Sequence, residues 1–304
     1  GRRINCTRLR FSTFVASMLA IVATAGEGAS QKDGATHGIR ALRDLEYLRI
    51  GTRSLTLDLY LPEKAATPLP VVAWIHGGAW RAGSKRDCRA LPLAAEGYAA
   101  VSISYRFSQE ARFPAQIEDC KAAIRWLRAH AKEYNLDTER IGVWGESAGG
   151  HLAALLGSSG DVKELEGSAG NLEQSSRVQA VCDWFGPTDF LQMNAQSGPT
   201  RKMDHDALDS PGSQLIGGAI QENKDKVARA NPITYISKDD PPFLIMHGDA
   251  DDLVPQQQSR LLHDALTKAG VESTYHIVKN AGHGFGGPEN ARFVSEFFAK
   301  HLKR

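Results

Sequence analysis

The chain has 304 residues, 42% of them apolar, enough for one large domain with a full core. Its 36 basic and 35 acidic side chains give a formal net charge of +1, which argues against a nucleic-acid partner. The four cysteines fit no zinc-site spacing and HExxH is absent, so neither a metal nor a cofactor is expected.

At the N-terminus, Arg2, Arg3, Arg8 and Arg10 precede an apolar run over 11–23, and Ala23-Thr24-Ala25 offers small residues for cleavage. This pattern predicts a secretory signal peptide over 1–25, hence an exported protein, periplasmic or secreted. The apolar run is too short for stable membrane insertion. Residues 26–40 are polar and Gly-rich and are expected to be a flexible lead-in; residues 41–304 are expected to form the folded domain.

Strand-like runs follow near 45–50, 55–60, 71–76, 98–104, 140–144, 178–185, 243–247 and 273–278. Helical runs fall near 86–96, 114–133, 147–157, 224–229, 256–269 and 288–302. The early strands lie close together, as antiparallel hairpins do; the later ones alternate with helices, as parallel strands with crossovers do. The expectation is an α/β fold: an eight-stranded, mostly parallel sheet with helices on both faces. Residues 158–177 read as a surface loop and 186–232 as a small partial cap. Ile117, Cys120, Ile124, Leu127 and Ala131 form a helical stripe that turns Cys120 to the core. In an exported chain, a Cys88–Cys120 disulfide and buried unpaired thiols are both open.

Three motifs carry chemistry. Gly145-Glu146-Ser147-Ala148-Gly149 sits between a strand-like run and a helical one, the setting of a nucleophile elbow, so Ser147 is the candidate nucleophile. His76-Gly77-Gly78-Ala79-Trp80 follows another strand-like run; its small residues let backbone N–H groups approach an oxyanion. Gly78 and Ala79 are the expected donors, with the N–H of Ala148 as a third. His283, in Ala281-Gly282-His283-Gly284-Phe285, is the candidate base, because imidazole titrates near neutrality. Asp249, Asp251 and Asp252 compete to orient it. The pattern H-G-x-x-D-x-x-V-P over 247–255 favours Asp251, leaving Asp249 to shape the turn and Asp252 to solvent or a helix cap. His76, His151 and His247 read as structural. Trp80, Trp184, Phe185 and Phe285 adjoin these motifs and are candidates to line a substrate pocket, one or two of them touching substrate.

With these motifs, and with FPAQIEDCKAAIRWLRAHA at 113–131 and WFGPTDF at 184–190, the chain resembles the α/β-hydrolase serine esterases. It is most similar to the bacterial carbohydrate-esterase and feruloyl-esterase-like group, near the hormone-sensitive-lipase-type esterases. The resemblance runs from about residue 45 to the C-terminus. It implies a carboxylic ester hydrolase of Ser-His-Asp type acting on short-chain or aromatic acyl esters, acetyl or feruloyl groups on polysaccharide. An arylformamidase or a small-acyl detoxifying esterase is the alternative. A catalytically inactive binding module is the reading from another class; the intact Ser147, Asp251 and His283 argue against it.

Overall fold

The computed structural model describes residues 38–199 and 201–303. The expected signal peptide and most of the lead-in lie outside the described residues. The strands are β1 (Ile39–Ile50), β2 (Arg53–Pro62), β3 (Leu69–Ile75), β4 (Ala99–Ile103), β5 (Leu136–Glu146), β6 (Ala180–Trp184), β7 (Phe243–Gly248) and β8 (Ser273–Val278). The first helices are α1 (Leu91–Ala95), α2 (Ala115–Ala129), α3 (Ala131–Tyr134) and α4 (Ala148–Ser158). Then come α5 (Met193–Ser197), α6 (Pro211–Ile216), α7 (Lys224–Ala230), α8 (Gln257–Lys268) and α9 (Pro288–Leu302).

The strands form one eight-stranded sheet in the order β1-β2-β4-β3-β5-β6-β7-β8. β1 pairs antiparallel with β2, and β2 with β4; every later neighbour is parallel. All seven residues of β3 are buried, as a central strand covered on both faces requires. Alternate side chains feed two cores. Val71, Ala73 and Ile75 pack in a cluster with residues of α2, α4 and α8, whereas Val72 and Trp74 pack with residues of α1 and α9.

Three local expectations change, and one left open is settled. β1 begins at Ile39, so pairing with β2 reaches two residues into the expected lead-in. The helix expected over 86–96 forms only over Leu91–Ala95. Pro92 has no N–H to donate to a preceding turn and sits in the first turn of the helix, and residues 84–87 close a separate turn upstream. The helix expected over 114–133 is interrupted at His130, where α2 ends and α3 begins. Finally, Cys88, Cys120 and Cys182 are all free. Cys120 belongs to the core on one face of the sheet and Cys88 packs against the core on the other, so the two cannot form a disulfide.

The segment over 158–177 is surface chain, but it is tied down. Lys121 and Arg125 of α2, both buried, reach Glu166 at 2.6 and 2.8 Å. Arg125 also donates to the carbonyls of Ala169 and Gly170. Segment 186–232 carries α5, α6 and α7 over the C-terminal ends of the parallel strands, where an open α/β sheet gathers its ligands.

Candidate active site

Ser147 stands between β5 and α4 with φ +53° and ψ −119°, backbone that a residue with a side chain adopts only when its surroundings enforce it. Its N–H donates to the carbonyl of Trp184 on β6, and its carbonyl accepts from His151 N–H. The flanking glycines make this turn possible. A Cβ on Gly145 would lie 2.1 Å from the carbonyl oxygen of Gly149, and one on Gly149 would lie 2.0 Å from that of Ile75. No side chain fits at either position.

His283 Nε2 lies 2.9 Å from Ser147 Oγ, and its Nδ1 lies 2.8 Å from Asp251 Oδ2. A carboxylate can only accept, so Nδ1–H donates to Asp251 and Nε2 is left to accept from the serine hydroxyl. Asp251, whose side chain is fully buried, takes more than this one bond. Leu253 and Val254 each donate an N–H to its Oδ1 at 2.9 Å, and His247 Nε2 approaches Oδ2 at 3.1 Å. Burial works to raise the Asp251 pKa, but the hydrogen bonds and charges of His247 and His283 outweigh it and hold the carboxyl well below the usual range. The loops bearing Asp251 and His283 are stitched together by Ala250 N–H to the Ala281 carbonyl and Asn280 N–H to Asp249 Oδ1. Asp249 thus shapes the turn, while Asp252 faces outward and pairs with Lys202.

Beside Ser147, residues 78–80 all have positive φ, which folds the loop after β3 back on itself. Arg81 and Ala82 donate their N–H groups to the Gly78 carbonyl and close this loop. Among the described residues, neither the Gly78 nor the Ala79 N–H finds an acceptor. Ala148 is the first residue of α4, so its N–H has no intrahelical partner. Under the loop, His76 is buried and stacks on Tyr105 at 4.6 Å, and burial lowers its pKa. Among the described residues no group of three or more His, Cys, Asp and Glu side chains is arranged to hold a metal ion.

Two recesses meet at Ser147, Ala79 and His283. One is an apolar cavity of about 100 Å³ walled by Trp80, Phe190, Met193, Met203 and Leu253. The other is a more polar groove edged by Gly77, Gly78, Arg89, Glu146 and Gly284. Of the four aromatics expected to line a pocket, Trp80 faces the cavity and Phe185 the groove. Trp184 and Phe285 line neither recess: Trp184 is buried against Trp144, and Phe285 packs on Trp184 at 4.7 Å. Trp80 Nε1–H donates to His151 Nδ1 at 3.1 Å, and His151 Nε2–H donates to the Ala230 carbonyl at 2.7 Å. Burial pushes the His151 pKa down to about 4, so this ring stays neutral and links α4 to the cap.

Segment 186–232 is expected as a partial cap, but patterning names neither its individual cavity-wall residues nor Arg89. Met193 and Met203 lie in a segment without apolar periodicity, and Arg89 falls in what reads as a helix. Glu146 lies inside the elbow motif, but spacing alone does not show that its side chain faces the groove.

A family model described as BD-FAE matches residues 57–266. LipM of Mycobacterium tuberculosis, a probable carboxylic ester hydrolase, is 33% identical over 82% of this chain and 58% of its own. A solved truncated form of a carbohydrate esterase from gut microbiota is 36% identical with a TM-score of 0.79, covering 87% of this chain and 97% of that one. A bifunctional GH43-CE protein of Bacteroides eggerthii is 39% identical with a TM-score of 0.77, over 86% of this chain and 38% of that one. The chain spans about three-fifths of the length of the curated relatives it matches. It belongs to the BD-FAE family, and its fold is that of the α/β-hydrolase esterases.

Proposed function

We propose that this BD-FAE family member is a serine carboxylesterase that removes short-chain or aromatic acyl groups, acetyl or feruloyl, from polysaccharide outside the cytoplasm. The observation that carries the reading is the unbroken line Ser147 Oγ, His283, Asp251, with contacts of 2.9 and 2.8 Å, beside N–H groups that have no other acceptor. The likeness to a carbohydrate esterase from gut microbiota supports the sugar side of the substrate. Export rests on the N-terminal charge and apolar pattern alone.

In this mechanism Ser147 Oγ attacks the ester carbonyl as His283 Nε2 takes its proton. Asp251 holds the imidazole in the tautomer with its proton on Nδ1 and stabilises the imidazolium that forms. The N–H groups of Gly78, Ala79 and Ala148 bind the oxyanion. His283 then protonates the departing alkoxide, and the alcohol leaves. Water, deprotonated by the same nitrogen, attacks the acyl-serine; collapse of that intermediate releases the carboxylic acid and returns the proton to Ser147. The mostly apolar cavity suits the acyl group: besides Ser147 and His283, His205 is the polar side chain among its described lining residues.

The test is hydrolysis of p-nitrophenyl acetate and butyrate, methyl ferulate, acetylated xylan and N-formylkynurenine by wild type and Ser147→Ala. Release of acetate or ferulate from the carbohydrate or aryl esters that depends on Ser147 is expected. Turnover confined to N-formylkynurenine would replace the esterase reading with a formamidase. No turnover dependent on Ser147 would remove the enzyme reading.

A further inference from the structure

We infer that the groove between Gly77 and Gly284 is the alcohol subsite, and that the Arg89–Glu146 pair in it recognises the hydroxyls of a sugar ring. The inference rests on the esterase reading and extends it to the leaving group. Arg89 Nε lies 2.7 Å from Glu146 Oε2, and both side chains remain partly exposed on the wall of the recess that contains Ser147 and His283. A guanidinium has five N–H donors and a carboxylate about four acceptor sites. This contact and the one from Arg89 Nη1 to the Phe285 carbonyl, at 3.4 Å, occupy only part of that capacity. A planar donor fork beside a carboxylate matches neighbouring hydroxyls, each of which both donates and accepts.

The rest of the groove leaves room for a ring. Gly77, Gly78 and Gly284 bring no side chains to it, and a Cβ on Gly284 would meet nothing within 4 Å. The opposite recess suits a sugar poorly, since Trp80, Phe190, Met193, Met203 and Leu253 wall it and His205 alone adds a polar side chain away from Ser147 and His283 among the described residues. The two faces of Ser147 therefore divide the ester: acyl group to the apolar side, polyhydroxylated alcohol to the charged side.

The experiment compares kcat/KM for methyl 2-O-acetyl-β-D-xylopyranoside, whose other hydroxyls are free, with that for p-nitrophenyl acetate, which carries the same acyl group on a leaving group without hydroxyls. The enzymes are wild type, Arg89→Ala, Arg89→Gln, Glu146→Gln and Gln214→Ala. Arg89→Gln keeps a donor for the Phe285 carbonyl, and Gln214 lies in a separate polar groove with Arg81 and Arg112. Loss of charged hydrogen bonds predicts that both Arg89 variants lose about 10- to 100-fold more on the sugar ester than on p-nitrophenyl acetate. Glu146→Gln should shift the same ratio in the same direction, and Gln214→Ala should leave it unchanged.

Equal losses on both substrates would mean that Arg89 acts only through the loop of His283, and would overturn the inference. So would an unchanged ratio in the Arg89 variants, or a selective loss in Gln214→Ala. Wild type without hydrolysis dependent on Ser147 would overturn the esterase reading, and this inference with it.

Discussion

His247 Nε2 lies 3.1 Å from Asp251 Oδ2, the same oxygen that holds the Nδ1 of His283 at 2.8 Å. His247 is itself fixed, with Nδ1 2.7 Å from Ser259 Oγ on α8 and Nε2 2.8 Å from the Val254 carbonyl. In the proposed mechanism it therefore holds the carboxylate that orients the base, without touching substrate. His247→Ala is expected to lower kcat by about 10- to 100-fold with little change in KM, as a small misplacement of catalytic groups does. Steady-state kinetics on p-nitrophenyl acetate would check this. A rise in KM at constant kcat would contradict it.

Asp251→Asn should cost about 10⁴-fold in kcat, because an amide cannot hold the imidazole in the required tautomer. The same substitution has a signature in stability. The folded-state pKa of Asp251 is depressed, so its ionised form contributes stability above the unfolded value of about 3.9 and loses it as pH falls below that value. The stability gap between wild type and Asp251→Asn should therefore narrow between pH 5 and pH 3 in urea unfolding. A gap independent of pH would count against this account of the carboxylate.

Asp183, at the end of β6, has the opposite sign. It is buried, only its Oδ1 has a partner, the Gly186 N–H at 3.0 Å, and burial pushes its pKa up to about 6. The native state keeps the proton to about pH 6 while the unfolded chain releases it near 3.9, so stability falls as pH rises through that window. Asp183→Asn should remove this penalty. Relative to wild type, the variant should gain on the order of 2–3 kcal/mol between pH 4 and pH 8. Equal effects at both pH values would show that Asp183 is not protonated in the native state.

Glu166→Leu should destabilise the fold by about 3–5 kcal/mol, because it leaves two buried cations without their carboxylate. Lys121 and Arg125 are 0% and 1% exposed, and Glu166 faces both. Thermal or chemical unfolding measures the loss. The proposed catalytic residues Ser147, Asp251 and His283 lie outside this cluster, so kcat at a temperature where the variant is folded should be little changed.

The parts legible in the sequence are those confined to short local patterns. The sheet could be anticipated from apolar runs, because buried parallel strands such as β3 are apolar throughout. The elbow and the loop after β3 need small residues at fixed positions, and that need is written into GESAG and HGGAW. Asp251 and His283 were marked by their place just after β7 and β8. What stayed hidden depends on contacts between distant segments. Lys121 and Arg125 look like the solvated side of α2, and only the return of Glu166 from the following loop makes them interior residues. The cavity walls come from chain without periodicity, and the aromatic neighbours of the motifs divide between core and recess by backbone path rather than by type. Cys88 and Cys120 are separated by the sheet itself, which no spacing rule reveals.

The most direct test of Ser147 as the nucleophile is mass spectrometry after reaction with an aryl phosphonate ester. The account predicts one phosphonyl group per chain, on the peptide containing Ser147, in step with loss of hydrolysis and absent from Ser147→Ala. A phosphonyl group on another residue, or full inactivation without modification of Ser147, would contradict it.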